Sequence, residues 1–184
     1  GEAQGVPVRL QVTTNGTRLT PERAAALDAL AMHVTVSVDG TPWAQDVARP
    51  TAGGGRSSEA VARGLDAALA GCRASSTITV VDPRTVRRLD EGVAWLYARG
   101  VRRLTLNPAW SARWTDDDRA AWAEQYALLA RRWTDAYRAG DPFFLSTIDL
   151  AVRARVMGAS GPCGSGCGAA GIALAPSGRV YGCG

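Results

Sequence analysis

Over its first 140 residues the chain alternates short β-rich runs with helix-length amphipathic stretches four times, an order that leaves few folds open. Strands joined through helices of such length must run parallel, and their crossovers must be right-handed, because a right-twisted strand feeding a right-handed helix packs back onto its sheet only that way. The first run, residues 8–13, is followed by the turn pair Asn15 and Gly16, and Thr20-Pro21-Glu22 then supplies an N-cap with proline at the first helical position. That helix carries Ala24, Leu27, Leu30 and Ala31 on one stripe. Residues 33–38 read as a second strand, and a long loop containing Pro42, Pro50 and Gly53-Gly54-Gly55 leads to a helix over 57–70. A third strand spans 77–81, and Asp82-Pro83 caps a helix with Val86, Leu89, Val93, Leu96 and Tyr97 at helical spacing. The fourth strand covers 101–107. Thr115, with Asp116, Asp117 and Asp118 in the positive first turn, opens a long helix bearing Trp122, Tyr126, Leu129 and Trp133 on one face.

The expected class is therefore α/β with a parallel sheet. At 184 residues and 46% apolar content the chain can bury one respectable core, and no stretch approaches the roughly twenty apolar residues that cross a bilayer. The chain does not begin with Met, so a segment of a longer protein is expected. The formal charge is +4 and all 21 basic residues are arginine. These arginines are spread along the chain, with short pairs at Arg87-Arg88, Arg102-Arg103 and Arg131-Arg132, whereas a nucleic-acid footprint clusters on one face. Neither a nucleic-acid nor a membrane partner is expected.

Four cysteines in a chain that starts without a secretory pattern fit a reducing compartment, and cytoplasmic location is the expectation. Cys72, at the end of an alanine-rich helix, reads as a small buried apolar residue. The other three are crowded as Cys163-x3-Cys167-x10-Gly178-x4-Cys183 and interspersed with Gly164, Gly166, Gly168 and Gly171. Three thiolates in such a glycine-rich stretch suit a soft metal ion or an iron–sulfur cluster, because glycine lets the backbone curl tightly around one. Zinc would want a fourth Cys or His nearby, and the single His of the chain is His33, far away in sequence.

A β/α series presents ligand-binding residues at the carboxyl ends of its strands. The candidates there are Thr14 and Asn15, Ser37 and Asp39, and Asn107, each with a plain turn or loop-start role as the alternative. Trp110 and Trp114 follow the fourth strand; packing is the favoured role, a substrate groove the other.

Taken together, Thr13-Thr14-Asn15-Gly16-Thr17, Val36-Ser37-Val38-Asp39-Gly40 and Gln45-Asp46-Val47-Ala48-Arg49-Pro50 resemble the second half of a radical SAM partial barrel. The likeness is to the peptide- and protein-modifying members that include the anaerobic sulfatase-maturating enzymes. Gln45 stands where that family commonly has His. Cys167-Gly168-Ala169-Ala170-Gly171 and Pro176 to Cys183 resemble the opening of a SPASM domain, the extension that carries auxiliary iron–sulfur clusters. The radical-generating Cys-x3-Cys-x2-Cys loop and the Gly-Gly-Glu segment of the family are absent from this sequence.

The resemblance implies a fold: the second half of a (β/α)6 partial TIM barrel over residues 1–140 (strands three to six), a linker over 141–162, and a truncated [4Fe-4S]-binding SPASM segment over 163–184. It also implies cofactors, S-adenosylmethionine and [4Fe-4S] clusters, and carries residues over. Ser37 corresponds to the family serine that reaches S-adenosylmethionine, Arg49 to an arginine suited to its carboxylate, and Leu106 to a residue near the adenine. Cys163, Cys167 and Cys183 correspond to the first ligands of an auxiliary cluster. The activity so implied is modification of a peptide or protein side chain by hydrogen abstraction, with a reductant protein such as a ferredoxin or flavodoxin as partner. The sulfatase-maturating enzymes have an Asp after the last of these cysteines, and here Gly184 occupies that place, so no general base is assigned. The alternative is a non-catalytic metal- or peptide-binding module of the same descent.

Overall fold

The computed structural model describes residues 9–158 and 173–181. It comprises two units, Gly1–Ser146 and Thr147–Gly184. The larger one runs β1 (Gln11–Thr14), α1 (Pro21–Ala29), β2 (His33–Ser37), α2 (Pro42–Ala48), α3 (Ser58–Gly71), β3 (Ser75–Val81), α4 (Leu89–Ala98), β4 (Arg103–Pro108), α5 (Asp116–Arg138) and β5 (Phe144–Leu145). All five strands pair in parallel, in the order β1-β2-β3-β4-β5. With sequential order and right-handed crossovers every connecting helix falls on the same side of the sheet, which is how an arc of a barrel is built.

The burial pattern records the consequence. On β3, Thr77, Thr79 and Val81 are buried, while the alternating Ser76, Ile78 and Val80 are only half-buried. On β4, Leu104 and Leu106 are buried, and Arg103 and Asn107 are exposed. The helix-covered face therefore takes Val34, Val36, Val81, Leu104 and Leu145 against a helical layer containing Ala24, Val61, Leu65, Ala68, Val93, Leu96 and Leu129. The opposite face is polar. It carries Gln11, His33, Thr35 and Ser76, joined by His33 Nε2 to Ser76 Oγ at 2.8 Å and Thr35 Oγ1 to Ser76 Oγ at 2.9 Å. Burial, with Arg103 nearby as the lesser cause, pushes the His33 pKa down.

The helix-covered face of the sheet holds an unsatisfied group among the described residues. The Thr77 hydroxyl is fully buried in the row Val36–Thr77–Leu104 with no hydrogen-bond partner among the described residues. Valine has the same branched shape without the polar atom. Thr77→Val is therefore expected to raise stability by about 1 kcal/mol, read as a higher denaturation midpoint at unchanged slope.

Four features differ from the expectation. The loop after β2 contains α2, capped by Thr41, whose hydroxyl accepts from the Ala44 N–H at 3.3 Å, with Pro42 at the first helical position. The helix expected from Asp82-Pro83 begins only at Leu89; Asp82 and Pro83 open a turn, and Val86–Arg88 form one turn of 3-10 helix first. The sheet has five strands instead of four. Finally, residues 141–158 of the expected linker are structured, as β5 and α6 (Ser146–Met157). The start of this segment is held because Tyr97 Oη donates to Asp141 Oδ2 at 2.7 Å, Arg102 pairs with the same carboxylate at 2.9 Å, and Phe143 packs against the Tyr97 ring at 5.0 Å between centroids.

The long α5 starts as its sequence dictates. Thr115 accepts from the Asp118 N–H while the Asp118 carboxylate accepts from the Thr115 N–H and hydroxyl. These bonds, with Arg87 at 2.8 Å, hold the Asp118 pKa down at about 2. Cys72 is a buried free thiol whose pKa burial raises. In the smaller unit β6 (Ala173–Leu174) and β7 (Val180–Tyr181) form an antiparallel hairpin. Gly178 sits in its turn at φ +80°, which explains glycine at that point of the cysteine-flanked stretch. No described helix is long and apolar enough to cross a membrane.

Candidate functional site

The carboxyl end of β2 is where the structure concentrates buried polar groups. The ladder continues past Ser37 through the Val38 N–H, which donates to the Ile78 carbonyl at 3.1 Å, and Thr79 Oγ1 donates to the Val38 carbonyl at 2.7 Å. This fixes Asp39, whose side chain is 1% exposed. Gly40 follows at φ +103°, and a Cβ there would lie 2.7 Å from the Gly92 Cα, so the chain can turn into α2 beneath α4 only with glycine.

Asp39 is held from two directions. Its Oδ1 accepts from the Val80 N–H at 2.9 Å, and Arg49 grips it in bidentate fashion, Nε to Oδ2 at 2.6 Å and Nη2 to Oδ1 at 3.2 Å. Such a fork fixes a guanidinium in direction as well as place. One edge is used. The two Nη1 hydrogens and the second Nη2 hydrogen meet no described group, and the Arg49 side chain is 31% exposed. A cation so anchored offers a planar set of donors to an incoming carboxylate or phosphate.

The segment leading to α3 is clamped to α2. The Asp46 carboxylate accepts from the Ser57 and Ser58 N–H groups, each at 2.9 Å, and from Ser58 Oγ at 2.9 Å. Burial pushes the Asp46 pKa up, but these bonds and the charge of Arg56 outweigh it and leave the group below its ordinary value. Gln45, 2% exposed, accepts from the Asp39 N–H and donates to Ser57 Oγ, and Ser57 Oγ donates to the Arg49 carbonyl at 2.6 Å.

Ser37 is half-buried at the end of β2 on the polar face, and its hydroxyl meets no described hydrogen-bond partner. The register Ser37–Ile78–Thr105 makes Thr105 the β4 residue in its row. Leu106, one position on, has its side chain on the helix-covered face beside Leu104, while its N–H donates to Ser146 Oγ at 2.9 Å. Ser37 and Arg49 are thus brought to one strand end, and the Leu106 side chain points away from it. Thr14 and Asn15 serve their turn, accepting from the Gly16 N–H and from Thr17. Asn107 is exposed. Trp114 packs on Trp122 at 4.9 Å and donates to the Ala109 carbonyl, whereas Trp110 is 86% exposed and packs on nothing comparable. Cys163, Cys167 and Cys183 lie outside the described residues, and no cluster of potential metal ligands occurs among those described.

Gln45, Ser57 and the Asp46 clamp went unrecognised as a unit in the sequence. One signal was there: Thr41-Pro42 repeats the cap-and-proline pattern of Thr20-Pro21, which marks α2 and so places Gln45, Asp46 and Arg49 on or next to one short helix. A cleft of about 630 Å³ lined by Trp43, Trp95, Arg56 and Arg99 opens among α2, α3 and α4, but neither Ser37 nor Arg49 lines it.

No protein-family model and no curated protein matches the chain. Solved structures do. Native anSMEcpe, an anaerobic sulfatase-maturating radical SAM enzyme, with bound AdoMet superposes with a TM-score of 0.83 at 16% identity, over 98% of this chain and 52% of that one. The same enzyme with AdoMet and the Kp18Cys peptide gives 0.79 at 17% identity, over 98% and 52% of the respective chains. With AdoMet and the Cp18Cys peptide the values are 0.75, 16%, 88% and 47%. The chain spans about half the length of the structures it matches.

Proposed function

We infer that the chain, whose parallel β/α sheet has the fold of those structures, is the second half of a radical SAM partial barrel. We propose that it is part of an enzyme that uses S-adenosylmethionine and iron–sulfur clusters to modify a peptide or protein side chain by hydrogen abstraction. The observation that carries this reading is the Arg49 guanidinium, anchored on Asp39 by one edge and meeting no described group on the other, at the same strand carboxyl end as Ser37, whose hydroxyl has no described partner. It is supported by the likeness to an enzyme whose structures contain AdoMet and peptides.

The residues present fit the amino-acid end of S-adenosylmethionine. Arg49 binds and orients the carboxylate with its remaining donors, and Ser37 donates to or accepts from the adjacent part of the ligand. Asp39 holds Arg49 in direction. When bound with a reduced cluster, S-adenosylmethionine supplies the radical that abstracts hydrogen. Cys163, Cys167 and Cys183 are the proposed ligands of an auxiliary cluster, and a ferredoxin- or flavodoxin-like protein the proposed reductant.

Incubated anaerobically with S-adenosylmethionine and a strong reductant, the full-length protein is expected to release 5′-deoxyadenosine. A cluster-replete preparation that yields none would defeat the proposal.

A further inference from the structure

The Arg49–Asp39 pair is held at its side chains by its own ion pair, and its two backbones are held by something else. Gln45 Oε1 accepts from the Asp39 N–H at 2.9 Å, and Gln45 Nε2 donates to Ser57 Oγ at 3.1 Å. The Ser57 hydroxyl passes the link on to the Arg49 carbonyl at 2.6 Å. One buried carboxamide therefore ties the main chain at Asp39 to the main chain at Arg49. The Arg49 N–H is held by the last bond of α2, to the Gln45 carbonyl at 2.8 Å, and its carbonyl by that tie. Arg49 ends α2 at φ −133° and ψ 65°, and the next residues, Pro50 to Gly55, include three consecutive glycines. A backbone of that kind does not set the position of a guanidinium by itself.

We infer that Gln45 is a positioning residue for the ligand carboxylate, fixing the spacing of the Asp39 and Arg49 backbones so that the guanidinium presents its free edge at one place. The inference rests on the reading of Arg49 as the carboxylate anchor and goes beyond it, because Gln45 itself touches no ligand. The task requires one acceptor and one donor on a single planar group, which a carboxamide has. A neutral imidazole has the same pair, one ring nitrogen accepting and the other donating, whereas leucine of similar volume has neither. Asp39, Asp46 and Arg49 are the charged groups around this clasp.

The test compares two ligands in the full-length, cluster-loaded protein: S-adenosylmethionine, and methylthioadenosine, which keeps the nucleoside and lacks the carboxylate. Gln45→Leu is expected to weaken S-adenosylmethionine about tenfold, the equivalent of one strong hydrogen-bonded contact, and to leave methylthioadenosine within about twofold. Gln45→His at pH 8, where the imidazole is neutral, should bind both ligands close to wild type. Ser57→Ala cuts the same chain at its other link and should show the same ligand-selective loss, so it carries the test if Gln45→Leu does not fold. Equal weakening of both ligands, or of neither, overturns the inference, as does a Gln45→His protein as weak as Gln45→Leu. A wild-type protein that does not bind S-adenosylmethionine, or an Arg49→Gln protein that binds it undiminished, sinks instead the reading on which the inference stands.

Discussion

Replacing Arg49 with alanine is expected to lower the unfolding free energy of the full-length protein by about 3 kcal/mol, the low end of the cost of stranding one member of a buried pair. The partner left behind decides the magnitude. Asp39 is 1% exposed and would keep one side-chain hydrogen bond among the described residues, from the Val80 N–H, and no cation. The converse change is milder. In Asp39→Asn the guanidinium left without its carboxylate is already 31% exposed and can turn toward water, and the amide oxygen still accepts from Val80, so about 1–2 kcal/mol is expected. Chemical denaturation of the two variants measures the difference. If Arg49→Ala costs less than Asp39→Asn, the carboxylate is better hydrated than the structure has it, and the anchoring of Arg49 by Asp39 loses its basis. The same asymmetry bears on function. The pair gains little as a stabilising device against a well-packed apolar alternative. Its place at a strand carboxyl end, with one guanidinium edge that meets no described group, suits the ligand proposed for it.

The β/α order was readable because amphipathic period and cap chemistry agree at Thr20-Pro21, at Thr115 with Asp118, and along the stripe of α4. Where the sequence misled, local and tertiary signals diverged. Pro42 and Pro50 flank α2 and suggested a loop, although proline directly after a Thr cap starts a helix as readily as it ends one. Residues 141–145 have too short an apolar run to announce a strand; they are held by Tyr97 and Arg102, long-range partners that no local pattern reveals. The site was legible in part. Strand ends are predictable positions, so Ser37 and Asp39 could be singled out, but the face on which Leu106 lies depends on register, and register is set across β3. Trp110 and Trp114 show the same limit. Four residues apart in one connection, one packs on α5 and the other stands in solvent.

The second large effect runs against local propensity. Gly64 lies within α3, where alanine should favour the helix by about 1 kcal/mol. Gly64→Ala is nonetheless expected to destabilise the protein by about 3 kcal/mol, at the upper end of overpacking costs. A Cβ at Gly64 would lie 2.0 Å from the Gly16 carbonyl oxygen and 2.7 Å from its carbon. These are backbone atoms, so no rotamer change relieves the clash. Gly16 cannot easily move either: it stands at φ +75°, and a Cβ of its own would already meet Val36 Cγ1 at 3.0 Å. The contact is helix backbone on turn backbone, and it seats the β1–α1 connection against α3. Gly53→Ala provides the control, because nothing lies within 4 Å of a Cβ there and its φ is not in the left-handed region. That variant should be neutral or slightly more stable, through the lower entropy of the unfolded chain. A Gly64→Ala protein as stable as Gly53→Ala would mean that α3 does not cross the turn at backbone distance. The packing that sets the carboxyl end of β1 beside that of β2 would then need a different cause.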